Sequence, residues 1–228
     1  MVHGDKMSNY IEIKNSRSIL VNDSFKNVSL RNVIQTNQCI QSYVYETDHG
    51  ELCYFCHPPV INGDIVCLAG NSTSFLFYKN SYMSGPSGWD YYAQNTPRGS
   101  SDTYFYLFNF QKTSETGGLE VTGADGTQIF NSNLKYLRII DVIKGHASSI
   151  NYGIRAYSHK IGIIPVSTVF NAGNENAWVT ETDSIFSIGF PTSNSFGFYR
   201  IQDKSLVTSP PSSCNREIYV LVVNLDGL

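Results

Sequence analysis

Two runs in this chain leave little choice of fold. Thr103-Tyr104-Phe105-Tyr106-Leu107-Phe108-Asn109-Phe110 and Ile218-Tyr219-Val220-Leu221-Val222-Val223-Asn224-Leu225 are apolar at nearly every position. A strand that alternates apolar and polar residues covers one side of a core, whereas a run apolar on both alternations belongs inside a sheet with both faces covered. Other short runs rich in β-branched and aromatic residues are separated by Asn-Gly, Gly-Pro, Asp-Gly or Ser-rich breaks. No window carries three turns of helical periodicity with capping residues. These patterns predict an all-β fold.

The two double-sided runs close two halves that match in order. Tyr10-Ile11-Glu12-Ile13 resembles Gly118-Leu119-Glu120-Val121, Phe25-Lys26-Asn27-Val28 falls on Leu134-Lys135-Tyr136-Leu137, and Val33-Ile34 falls on Val142-Ile143. Further on, His57, Pro59-Val60 and Ala69-Gly70-Asn71 are answered by His159, Pro165-Val166 and Ala172-Gly173-Asn174. Phe75-Leu76-Phe77-Tyr78-Lys79 then meets Phe196-Gly197-Phe198-Tyr199-Arg200. Short β segments match by accident, but a collinear series reads as an internal repeat. The expected organisation is an N-terminal extension (1–7), a β-sandwich-like domain (8–115) and a second, tandem copy of it (116–228), each of ordinary domain size. Each copy is expected to open with a hairpin. In the second it runs from Leu119 to Val121, turns at Ala124-Asp125-Gly126 and returns from Gln128 to Phe130; in the first, Asn15-Ser16-Arg17-Ser18 is a weaker turn.

Charge narrows the function classes. Only 15% of residues are charged, the net charge is -3, and Lys and Arg are scattered, so nucleic acid is not an expected partner. The longest apolar runs are strand-sized, which argues against membrane insertion, and MVHGDKMSNY lacks the apolar stretch of a secretory signal. Ser, Asn and Thr fill the polar positions, which suits a part packed into a larger assembly. The five cysteines (Cys39, Cys53, Cys56, Cys67, Cys214) read by default as free, mostly buried thiols.

One segment carries a resemblance. Gly118-Leu119-Glu120-Val121, Asp125-Gly126, Ile129-Phe130-Asn131-Ser132, Leu137-Arg138 and Asp141-Val142-Ile143 together resemble the opening of a family of small β-rich tail-tip and tail-fibre-associated proteins of long-tailed bacteriophages and prophages. In that family the pattern stands at the start of the chain, whereas here it follows another domain. The resemblance implies a non-enzymatic structural component of a virion tail, made in the bacterial cytoplasm and docked to other tail-tip or fibre proteins or to copies of itself. It brings no catalytic residue with it.

Motifs with chemistry are few. Cys53-Tyr54-Phe55-Cys56-His57 has a metal-ligand look, and zinc completed by Cys39 or Cys67 is the functional alternative to buried thiols. The segment reads as a strand, however, and residues three apart on a strand point to opposite faces. No metal or cofactor is therefore expected. Gly-x-Ser-x-Gly, His-Glu-x-x-His and phosphate-loop patterns are missing, and no enzymatic activity is expected. The long segment from Asn80 to Asn95 is more informative: Tyr82, Trp89, Asp90, Tyr91, Tyr92 and Gln94 put flat rings beside polar groups in what reads as a loop. Such a loop suits a protein hot spot or the stacking of a host surface glycan, making a receptor-binding module the alternative function. The competing reading has Trp89 folding back on its own core.

Overall fold

The structure is a computed structural model and describes residues 11–13, 19–21, 27–35, 38, 40–46, 52–71, 73–78, 90–94, 103–111, 113, 118–123, 125–146, 153–166, 171–172, 184–200 and 217–228. Among them strands dominate and all strand pairs are antiparallel, so the fold is all-β. In the first half β1 (Ile11–Ile13), β2 (Ile19–Val21), β3 (Ser29–Gln35), β4 (Ile40–Glu46), β5 (Leu52–His57), β6 (Ile65–Gly70), β7 (Thr73–Tyr78), β8 (Asp90–Gln94) and β9 (Thr103–Asn109) follow one another. The second half contains β10 (Glu120–Thr122), β11 (Gln128–Asn131), β12 (Ile139–His146), β13 (Arg155–Ala156), β14 (Ile161–Pro165), β15 (Asn171–Ala172), β16 (Ser184–Thr192), β17 (Ser195–Arg200) and β18 (Glu217–Asn224).

Both expected opening hairpins form, β1–β2 and β10–β11. The remaining strands make a six-stranded sheet, β12-β18-β14-β6-β9-β3, and an eight-stranded one, β13-β17-β16-β7-β8-β5-β4 with β15 beside β16. Both sheets run across the two halves. Going outward from the β6–β14 contact, where Leu68 pairs with Ile163, the order is β6-β9-β3 on one side and β14-β18-β12 on the other. In the larger sheet the junction is β7–β16, with Phe75 paired to Ile188, flanked by β8-β5 and β17-β13.

The double-sided runs are β9 and β18, each bonded on both flanks. Their alternation feeds two cores. Phe105, Leu107, Val220 and Val222 join Leu68, Ile161 and Ile163 in a cluster that also contains Ile188 and Phe190 of β16 and Phe196 and Phe198 of β17. Tyr106, Phe108 and Val223 join Cys67, Ala69, Ile164 and Leu225 on the other face, with Val28, Leu30 and Leu137 packed against them. The central strands of the six-stranded sheet, β18-β14-β6-β9, are thus buried on both sides, which their near-continuous apolar sequences require.

Its two edges are drawn together at one end. Leu30 N donates to Lys135 O (2.6 Å), Leu137 N donates to Val28 O (2.9 Å), and Ser29 bridges Tyr136. The entries to edge strands β3 and β12 therefore pair with each other, bending the sheet around the second core. Each edge strand then carries a bulge, between Leu30 and Asn32 in β3 and between Ile139 and Asp141 in β12. Both bulges are followed by the same local bond: Val33 N to Asn32 Oδ1 (2.9 Å) and Val142 N to Asp141 Oδ1 (2.8 Å).

Not every segment matched by sequence shares a place in the fold. Phe75–Tyr78 belongs to β7, at the centre of its sheet, while Phe196–Arg200 is β17, which lies outside β16 as β8 lies outside β7. Ala69 lies in β6 of the six-stranded sheet and Ala172 in β15 beside β16. The repeated Phe-x-Phe-Tyr pattern reflects what a sheet interior accepts, and any strand there can carry it.

Where β14 meets β6, the backbones come close at Gly162. A Cβ there would overlap Cys67 Sγ and lie 3.0 Å from Leu225 Cδ1 and 3.1 Å from Leu68 O. Gly162→Ala is expected to destabilise the protein by about 1–3 kcal/mol in urea unfolding. Adding Cys67→Ala, which removes the worst overlap, should recover part of that loss. A Gly162→Ala protein as stable as wild type would show that the two strands are not packed this tightly.

Candidate binding site

A shallow cleft with about 60 Å³ of internal room, open to solvent, lies between the end of β9 and the β10–β11 hairpin. Phe110 and Gln111 line one side and Thr127, Gln128, Ile129 and Phe130 the other, with Asn27, Leu134 and Tyr136 completing the lining. None of these residues carries a formal charge.

Local sequence fixes the walls. At the hairpin turn Gly126 adopts φ 78°, the left-handed conformation that favours glycine. Asp125 braces the turn by accepting from Thr127 N (2.9 Å) and Thr127 Oγ1 (2.7 Å). On the far side of β11, Gln128 imitates a strand neighbour: its Oε1 accepts from Thr113 N (3.1 Å) and its Nε2 donates to Thr113 O (3.3 Å). The Tyr136 ring stacks on Phe130 at 5.1 Å and 16°, while its hydroxyl accepts from Asn131 N (2.6 Å) and donates to Asn131 O (3.0 Å). Burial pushes the Tyr136 hydroxyl above its usual range, the Asn131 N–H opposing it, so it stays a neutral donor near neutral pH.

Two groups in this frame lack structural employment. Phe110 is 56% exposed although it directly follows a central strand. Asn27 Nδ2 is buried without a hydrogen-bond partner. The corresponding end of β18 differs: Leu225, which follows Asn224 as Phe110 follows Asn109, is buried in the second core.

The residues singled out from sequence fall elsewhere. Asp90, Tyr91, Tyr92 and Gln94 were expected in a loop, but they belong to strand β8, bonded to β7 on one side and β5 on the other. Two adjacent tyrosines favour a pleated strand, and their partners in β5 and β7 are aromatic-rich as well. Tyr82 and Trp89 lie outside the described residues. Cys53 and Cys56 lie on β5, a strand as expected, with side chains outside the described ones, and Cys39 is likewise outside. Cys67 is a free thiol, fully buried, and burial pushes its pKa far up, away from the thiolate form.

Three polar clusters escaped the sequence reading. Arg31 and Asp64 form a two-pronged pair, Nε to Oδ1 (2.9 Å) and a second guanidinium nitrogen to Oδ2 (2.5 Å), with Asn109 Nδ2 donating to Oδ1 (2.9 Å). His159 Nδ1 lies 2.7 Å from Asp226 Oδ2, and Lys160 N donates to the other oxygen (3.0 Å). The His159 bond, followed by that of Lys160 N–H, holds the Asp226 carboxyl below the usual range. Tyr157 donates to Asp141 Oδ2 (2.8 Å) and stacks on Phe196. These bonds join separate elements and account for the groups they contain.

No family model, curated protein or solved structure matches this chain.

Proposed function

We propose that the chain is a tandem duplication of one β-sandwich domain and serves as a non-enzymatic structural component of a bacteriophage tail. In this reading the copies share both sheets across a local two-fold axis. Supporting it are the mirrored strand orders, the equivalent bulges with their Asn32 and Asp141 bonds, and the crossing of Val28 with Leu137, residues matched by sequence.

The observation that carries the docking role is the edge of the six-stranded sheet. Among the described residues β12 pairs only with β18, and it presents Ile139 and Val142 about half exposed. An edge of this kind is a template for a partner strand. The segment resembling tail proteins, Gly118 to Ile143, comprises the β10–β11 hairpin and the start of this edge strand. The partners in this reading are tail-tip or fibre subunits, or further copies of the chain.

Immunogold microscopy of phage particles with antibody to this chain tests the placement. Label at the tail end is the expected result. Accessible particles without label, together with its absence from their denatured protein profile, would remove the tail reading. A second reading, recognition of a host surface receptor, is favoured by the exposed Phe110 at the mouth of the cleft.

A further inference from the structure

We propose that Asp141 and Asn32 guard the two edge strands of the six-stranded sheet, keeping β12 and β3 from pairing with a second copy of the chain. The inference rests on the edge-pairing reading above and narrows the partner of β12 to a strand of another protein. It does not depend on the chain belonging to a tail.

Backbone geometry identifies the guarded groups. In an antiparallel pair, alternate residues turn their N–H and C=O groups away from the partner strand. On β3, beyond the Ser29–Tyr136 bridge, Val33 N and Gln35 N stand at such alternate positions and both donate to side chains. Their acceptors are Asn32 Oδ1 (2.9 Å) and Gln38 Oε1 (3.2 Å). On β12, Val142 N donates to Asp141 Oδ1 (2.8 Å), and the other oxygen of Asp141 is held by Tyr157 Oη, which donates to it (2.8 Å). An incoming strand needs these N–H groups, and each is already spent within the chain.

Both edges carry the hazard that such guards offset. An exposed apolar side chain stands directly after each guard, Val33 on β3 and Val142 on β12, with the exposed Ile139 at the start of β12. An apolar edge with free N–H groups is a template for any extended chain, a second copy included. The guards discriminate by number. Two copies meeting edge to edge must break a guard on each strand, whereas a foreign strand without one breaks only that of β12. The bulge beside each guard adds twist, which also disfavours a flat pairing of like edges.

The test is sedimentation of the full chain over a range of concentrations, with amide exchange read at Val142 and Val33. Wild type should show no association involving these edges. Asp141→Ala should self-associate about tenfold more tightly or better, and exchange faster at Val142. Asp141→Asn, which keeps an acceptor as Asn32 does, should behave like wild type. So should Tyr157→Phe, which removes the second bond of Asp141 but leaves the guard. Asn32→Ala opens β3 at an exposed position where folding is not at stake, and should associate as well. Unchanged exchange at Val142 in Asp141→Ala and at Val33 in Asn32→Ala would overturn the proposal and leave the edge reading standing. Faster exchange without association would overturn both. Asp141→Asn associating like Asp141→Ala would also overturn it, since charge rather than a capped N–H would then be keeping the copies apart.

Discussion

Residues 1–115 and 116–228, produced as separate chains, are expected to remain unfolded or to aggregate alone and to regain sheet structure when combined. Each half has the length of an ordinary domain, so size is not the obstacle. The obstacle is that both cores are shared. Leu68, Phe105 and Leu107 pack in the same cluster as Ile163, Val220, Val222 and Phe198, and Cys67 and Phe108 in the same cluster as Ile164 and Val223. Separation would strip β6 from β14 and β7 from β16, leaving two unpaired edges on each half and apolar side chains in water. The loss should equal the whole stability of a domain, on the order of 5–15 kcal/mol. Circular dichroism and amide NMR of each half, alone and mixed, would read this out, alongside a single cooperative unfolding transition for the intact chain. Dispersed spectra and separate transitions for the isolated halves would mean two independent domains.

What was legible in the sequence is what local chemistry decides. The all-β class followed from β9 and β18, whose apolar residues on both alternations fit only a strand covered on two faces. The β10–β11 hairpin followed from Asp125-Gly126, because few other pairs accept the backbone that Gly126 adopts. Long-range placement was not legible. Phe75–Tyr78 and Phe196–Arg200 carry the same pattern in different strands, since pleat and burial constrain both alike. The strand β8 was hidden because the Gly-, Pro- and Ser-rich stretch before it made the whole segment read as a loop. Arg31 and Asp64 stand 33 residues apart, and His159 and Asp226 stand 67 apart; only the fold makes them neighbours. The cleft was missed for the same reason. Phe110 looked like the last residue of a buried strand, and nothing local says that the chain turns it outward.

Asp64→Ala is expected to be among the most damaging single substitutions, at about 3–5 kcal/mol, because it leaves the Arg31 guanidinium largely buried without its counter-ion. The Asp64 side chain is 1% exposed and Arg31 19%, so water replaces little of what is lost. Asn109 Nδ2 and Ile61 N also lose an acceptor. The other half of the fold suggests the rescue. Ile140 occupies the bulge of β12 as Arg31 occupies that of β3, and Ile161 faces Asn224 as Asp64 precedes the β6 residue facing Phe108. Replacing both partners, Arg31→Ile with Asp64→Ile, should therefore recover the part of the loss that comes from the unpaired guanidinium, leaving the cost of the acceptor lost to Asn109 Nδ2 and Ile61 N. Acidity separates this from simple packing. Burial raises the Asp64 pKa, but the bonds from Arg31, Ile61 N–H and Asn109 outweigh it, and the carboxyl sits below its usual range. A depressed folded-state pKa gives stability that is present above the unfolded value, about pH 4, and is lost as pH falls through the folded one. Urea unfolding from neutral pH downward should thus show the gap between wild type and Asp64→Asn narrowing below about pH 4. If the double isoleucine variant were as damaged as Asp64→Ala, or the gap to Asp64→Asn did not change in acid, the pair would be holding geometry rather than compensating charge.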